Sequence, residues 1–144
     1  RQFFESITEI QAWRVFTDCG YGRLIGFEMA RLVTRELSTG SKRRQQRQWC
    51  SNSSDQYSIP WYRNSWLGYL PQGAPTSPML SNLAMFDFDS DVQAIAETSG
   101  LTYTRYSDDL IFSTPREFSR ERAVVVIRDV YRRMHQEGLR PHQS

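Results

Sequence analysis

The stretch Tyr103-Thr104-Arg105-Tyr106-Ser107-Asp108-Asp109-Leu110-Ile111-Phe112-Ser113 decides how the rest of this sequence is read. Residues 101–107 and 110–113 are rich in the β-branched and aromatic side chains that favour strands, yet two like charges stand side by side between them. Strands separated by so little form a tight antiparallel hairpin. On a straight strand Asp108 and Asp109 would point to opposite faces, whereas a hairpin tip can turn neighbours toward one site. Counting back by two from Asp108 gives Tyr106, Thr104 and Thr102, a polar row better suited to meeting a ligand than to filling a core. Two carboxylates this close resist joint ionisation unless a cation sits beside them, and Asp oxygens are natural ligands of Mg²⁺. An ordinary turn also takes Asp readily, so the pair draws its meaning from what surrounds it.

Immediately upstream, Gly100 closes a helix expected to run from Pro78 to about Thr98, with Ser77 as its cap and Pro78 at its first position. Asp87, Asp89 and Asp91 alternate along it, and residues two apart on a helix share no face, which argues against a metal site there. Before the helix lies a stiff loop, Leu70-Pro71-Gln72-Gly73-Ala74-Pro75-Thr76-Ser77-Pro78, in which Gly73 lets the backbone approach a neighbour closely. Downstream, Ser119 to Glu137 reads as a final helix stopped by Gly138, with Ala123, Val126, Ile127, Val130, Tyr131 and Met134 facing inward.

Further out, Ile10, Trp13, Phe16, Leu24, Phe27, Leu32, Val33 and Leu37 recur at helical spacing. The break at Cys19-Gly20-Tyr21-Gly22 divides them into two helices, the second ended by Gly40. Residues 41–58 carry Lys42-Arg43-Arg44 and a Ser/Asn-rich tail, a loop or insertion that suits either solvent or nucleic acid. Trp61, Tyr62 and Trp66 suit core packing or base stacking.

At 144 residues and 39% hydrophobic content the chain supports one domain with a single core. No apolar run approaches the roughly 20 residues of a membrane span, so no membrane partner is expected. Cys19 and Cys50 lack metal-binding spacing and read as reduced thiols of a cytoplasmic protein. A net charge of +2 by itself does not argue for nucleic acid. The abrupt start at Arg1 and the end at Ser144 suggest a piece of a longer polypeptide.

Three motifs in order then resemble bacterial reverse transcriptases of the retron and group II intron-like kind. Tyr106-Ser107-Asp108-Asp109 looks like their Tyr-x-Asp-Asp box, 70–82 like their template and nucleotide loop, and Phe3-Phe4-Glu5-Ser6-Ile7 like the tail of their first catalytic motif. Tyr103-Thr104-Arg105 and Ser113 look most retron-like. The resemblance covers essentially the whole chain and implies an α+β fold, the palm of a right-hand polymerase with an antiparallel sheet backed by helices and part of the fingers. It implies an RNA-directed DNA polymerase using two Mg²⁺ ions, with Mn²⁺ as an alternative, held by Asp108 and its weaker neighbour Asp109. Phe4 matches a steric gate against ribonucleotides, Gln2 and Phe3 offer backbone amides to the triphosphate, and Gln72 and Gly73 meet the incoming nucleotide and template. Pro71, Ser77, Arg105 and Tyr106 are carried over as nucleic-acid contacts, Arg105 facing either phosphate or solvent. The implied partners are an RNA template, a DNA or RNA primer, deoxynucleoside triphosphates and a cognate non-coding RNA, in a bacterial cytoplasm.

The family's third carboxylate would fall before Arg1 and its late Lys just after Ser144, so the 144 residues alone are expected to be inactive. The competing expectation is a reverse-transcriptase-derived RNA-binding module, maturase-like or defence-associated, in which polymerisation is secondary or lost. A DNA-templated or template-independent polymerase of the same fold is a third.

Overall fold

The computed structural model describes residues 3–36, 67–115 and 117–139. Expectations for Gln2, the Gly40 helix stop, the 41–58 loop, Trp61, Tyr62, Trp66 and the 140–144 tail lie outside these residues. The elements in order are α1 (Phe3–Ser6), α2 (Glu9–Asp18), α3 (Arg23–Val33), α4 (Ser77–Ala84), α5 (Phe86–Thr98), β1 (Thr102–Tyr106), β2 (Asp109–Ser113) and α6 (Arg120–Gln136).

The first part is a helical hairpin closed by a crossing segment. Thr8 caps α2 reciprocally with Gln11: its hydroxyl accepts from the Gln11 amide, and the Gln11 side chain accepts from the Thr8 amide at 2.8 Å. After α3, Thr34 turns extended (φ −114°, ψ 160°), which ends the helix at Val33 instead of carrying it toward Gly40. The reason is a competing set of backbone bonds: Arg35 and Tyr69 exchange hydrogen bonds of 3.0 and 2.9 Å. The same segment bonds α2 and its lead-in, through the Glu9 amide to the Gly68 carbonyl at 2.8 Å and the Leu70 amide to the Ile7 carbonyl at 3.1 Å. Residues 67–70 thereby stitch the chain before α2 to the chain after α3.

Gly68 sits where nothing larger fits. A Cβ there would meet Thr34 Oγ1 and Cβ on one side and Glu9 Oε2 at 2.9 Å on the other. Gly68→Ala is therefore expected to destabilise the protein by about 2 kcal/mol, within the usual range for overpacking a filled site. Thermal unfolding followed by circular dichroism checks this; an unchanged midpoint would mean that Thr34 gives way freely.

The second part is the hairpin β1–β2 backed by α5 and α6. Met85, Phe88, Val92, Ala96, Leu101, Tyr103, Val126, Val130 and Leu139 form its core, while Ile7, Val15, Leu70 and Leu80 form a smaller one under the helical hairpin. Phe3 packs against both. The single helix expected from Pro78 to Thr98 is two, divided at Met85 (φ −96°, ψ 6°). Leu80 on α4 feeds the small core and Phe88 and Val92 on α5 feed the large one, so the axis changes where the chain passes from one core to the other. Gly100, at φ +72°, ends α5 by letting the Leu101 amide reach back to the Ala96 carbonyl at 2.9 Å.

Several inward assignments change. On α6, capped by the Ser119 hydroxyl, the buried positions are Val126 and Val130, whereas Ile127 and Tyr131 are 51% and 44% exposed. A helix resting on one neighbour buries a narrow row, and the expected stripe was wider than that. On α2 the buried apolar residues are Ala12 and Val15, with Ile10, Trp13 and Phe16 half-buried; on α3 they are Gly26 and Ala30, with Leu24 and Leu32 exposed. Close helix–helix approach selects the small residues for the centre of the contact. The observed architecture is α+β, with a two-stranded antiparallel sheet backed by helices. Among the described residues no helix is long and apolar enough to cross a membrane.

Candidate active site

The hairpin register pairs Thr102 with Ser113 and ends with Tyr106 opposite Asp109, leaving Ser107 and Asp108 as a two-residue connection. Asp109 is thus the first residue of β2 and Asp108 lies in the turn itself. Ser107 adopts φ +56°, the positive value that short hairpin turns demand to match strand twist. A non-glycine residue there is held by its surroundings, at a cost of about 1 kcal/mol. Both aspartates are exposed, and Tyr106 beside them is 79% exposed. Thr102 and Thr104 share that open face with Tyr106, while Tyr103 and Arg105 turn toward the helices.

Arg105 is where the structure adds most. Its side chain is 7% exposed, and its fork closes on Asp89 of α5, Nε to Oδ1 at 2.8 Å and Nη2 to Oδ2 at 2.6 Å. The remaining nitrogen, Nη1, donates to the Ser107 carbonyl of the turn at 3.1 Å. The guanidinium carbon also lies 5.9 Å from the centre of the Phe3 ring. Tyr103 donates its hydroxyl to Asp89 Oδ1 at 2.8 Å. Burial first, and then this bond, push the Tyr103 phenol well above its ordinary value, so it remains a donor. The hydrogen bond to Asp89, against the opposing effect of burial, raises the Arg105 guanidinium further and keeps it charged.

The sequence left Arg105 between phosphate and solvent; the fold directs it to a carboxylate of its own chain. Asp89, dismissed as a metal ligand, emerges as the partner. A signal for it was available: Tyr103 and Arg105 share the inward face of β1, and a charge turned inward needs an opposite charge waiting.

The second expected motif forms a separate arrangement. Gln72 and Gly73 occupy an exposed turn, with Gly73 at φ +88° where a side chain would be strained. Ser77 is not the cap but the first residue of α4, following Thr76; it is fully buried and donates its hydroxyl to the Pro71 carbonyl at 2.7 Å. Burial explains the change, since a hydroxyl out of water takes the nearest acceptor, here the loop it follows. Pro71 is half-buried and pinned by that bond. Phe4 packs on the core that contains Leu70 and Leu80, the residues flanking this loop. Phe3, its neighbour at 5.5 Å between rings, leans toward Arg105. Consecutive residues of the first motif thus reach the supports of the other two.

Among the described residues no group of three or more His, Cys, Asp or Glu side chains is arranged to hold a metal. Asp108 and Asp109 nonetheless fit one partly: Mg²⁺ retains several waters and commonly takes only one or two carboxylates from protein, the rest from phosphate.

A profile of the family described as Reverse transcriptase (RNA-dependent DNA polymerase) matches residues 34–144, the region containing the Gln72 loop and the hairpin. The chain is similar to the Retron Mx162 reverse transcriptase of Myxococcus xanthus, with 41% identity over 80 residues, 51% of this chain and 16% of the relative. It is similar to two from Escherichia coli, the Retron Ec86 reverse transcriptase (54% over 44 residues) and the Retron Ec83 reverse transcriptase (44% over 45 residues). Each of these two matches covers 31% of this chain and 14% of the relative, so the chain spans a small part of the curated relatives it matches.

Proposed function

The chain belongs to the reverse transcriptase (RNA-dependent DNA polymerase) family, and from that premise we propose that the polypeptide carrying it is a retron-type RNA-directed DNA polymerase. On this reading residues 1–144 are palm with part of the fingers, with 41–58 a loop or insertion. The observation that carries it is the exposed Asp108–Asp109 pair, Asp108 in the two-residue turn and Asp109 first on β2, both free of the core beside exposed Tyr106.

Asp108 and Asp109 would hold two Mg²⁺ ions, or Mn²⁺. Divalent ions in such a site supply neutralisation of phosphate charge and a lowered pKa at the primer 3′-hydroxyl. The chain's own part is placement. Phe4, fixed on the Leu70–Leu80 core, stands as the wall that a ribose 2′-hydroxyl would strike, with Gln2 and Phe3 offering amides to the triphosphate. Gln72 and Gly73, on a turn steadied by the Ser77–Pro71 bond, meet the incoming deoxynucleotide and the template. Tyr106, exposed beside the pair, meets the primer end. The partners are an RNA template, a DNA or RNA primer and a cognate non-coding RNA. A role in antiviral defence would follow from the retron type.

Primer extension tests this. The full-length polypeptide is expected to incorporate deoxynucleotides on an RNA template in Mg²⁺, more slowly on DNA, and residues 1–144 alone are expected to stay at background. Background incorporation by the full-length protein would leave the RNA-binding module as the surviving reading; equal rates on DNA would favour the DNA-templated one.

A further inference from the structure

Arg105 touches three elements at once. It holds both oxygens of Asp89 on α5, the Ser107 carbonyl inside the turn, and the face of Phe3 at the start of the chain. Ser107 is the residue with the unusual positive φ, and it immediately precedes Asp108. A carbonyl held from outside restricts the rotation of the peptide that carries it, and that peptide links Ser107 to Asp108. Asp89 is itself steadied by Tyr103, from the same inward face of β1. The peptide from which Asp108 leaves is therefore restrained by a partly buried ion pair as well as by the hairpin register.

We propose that Arg105, oriented by Asp89, is a positioning residue that fixes the Ser107–Asp108 peptide and so aims the carboxylate pair at the divalent ions. The proposal rests on the polymerase reading above, in that the ions are those of that reaction. It assigns a role to Asp89, which touches neither substrate nor ion. Lysine cannot replace Arg105: a single ammonium reaches the carboxylate or the carbonyl, whereas the planar fork spans both. Residues that orient ligating carboxylates typically matter by about 10- to 100-fold in metal affinity or activity when changed.

The test uses the full-length polypeptide and three variants, Arg105→Lys, Asp89→Asn and Asp91→Asn. Asp91 lies two residues along the same helix and pairs with Arg133, away from the turn, so its loss reports the general cost of breaking an ion pair on α5. Three quantities are read: kcat and KM for deoxynucleotide in primer extension, and the affinity for Mn²⁺ alone, followed by its electron paramagnetic resonance signal. Arg105→Lys and Asp89→Asn are expected to lower kcat by about 10- to 100-fold and Mn²⁺ affinity by about 10-fold, with KM within about threefold. Asp91→Asn is expected to leave all three within about twofold. Wild-type kcat and Mn²⁺ affinity in both Arg105→Lys and Asp89→Asn would overturn the proposal, as would an equal loss in Asp91→Asn. Should Arg105→Lys fail to fold, Asp89→Asn, which preserves side-chain size, decides alone. Failure of the polymerase reading looks different: Asp108→Asn then changes neither extension nor Mn²⁺ binding, and the proposal falls with it.

Discussion

Asp108→Asn in the full-length polypeptide is expected to reduce primer extension by about 10³-fold while leaving the unfolding midpoint where it was. The first half follows from charge. An amide keeps the size of the carboxylate but removes the negative charge that would hold a divalent ion against a triphosphate, and such an ion is worth several kcal/mol to the transition state. About 4 kcal/mol corresponds to three orders of magnitude in rate. The second half follows from location. Asp108 is an exposed turn residue, and the turn is held by the Ser107 carbonyl and the strand register, neither of which uses its side chain. Asp109→Asn is expected to cost less, because Asp109 is carried over as the weaker ligand. Extension by Asp108→Asn at the wild-type rate would end the catalytic assignment. A fall in midpoint matching the fall in rate would make the residue structural.

The largest expected loss of stability lies at the other end of the chain. Glu9 is 0% exposed, accepts the Gly68 amide at 2.6 Å, and faces Arg31 Nη1 at 3.2 and 3.0 Å from its two oxygens. Glu9→Ala would leave a buried amide without its acceptor, take the carboxylate from Arg31 and open a space under residues 67–70. Breaking a buried pair by removing one partner costs about 3–5 kcal/mol; with Arg31 one-fifth exposed, the lower end is expected. That corresponds to a fall of roughly 10 °C in the midpoint for a domain of this size. Thermal unfolding of Glu9→Ala, Arg31→Met and the double variant measures both the loss and the coupling between the two residues. Additive losses would show that Glu9 acts through Gly68 and not through Arg31. A midpoint within 2 °C of wild type would show that the crossing segment holds without its anchor.

The Glu9 anchor and the carboxylate turn differ in how far the sequence reveals them. The hairpin was legible because its cause is local: strand-forming residues on either side of two positions leave one way to pair, and the register follows from the turn. The open row of Thr102, Thr104 and Tyr106 was legible from the alternation of strand side chains. The start of α6 near Ser119 and the stop of α5 at Gly100 are likewise effects of neighbours a few residues apart.

The split at Met85, the end of α3 at Val33 and the burial of Ser77 were not legible, because each depends on how the chain packs and not on its local pattern. Met85 marks a change of core, the chain after Val33 turns extended to pair Arg35 with Tyr69, and Ser77 yields to the loop carbonyl of Pro71. Glu9 carries no local sign of its role, since Gly68 and Arg31, which close around it, lie on other parts of the chain.

The sequence by itself determined the hairpin, the exposed aspartates and the family to which they belong, since all three are written in runs of adjacent residues. Only the tertiary structure decided what holds that turn in place. Charges turned inward cannot remain unpaired, and the partner of Arg105 stands sixteen residues away on another element, where no local pattern could name it.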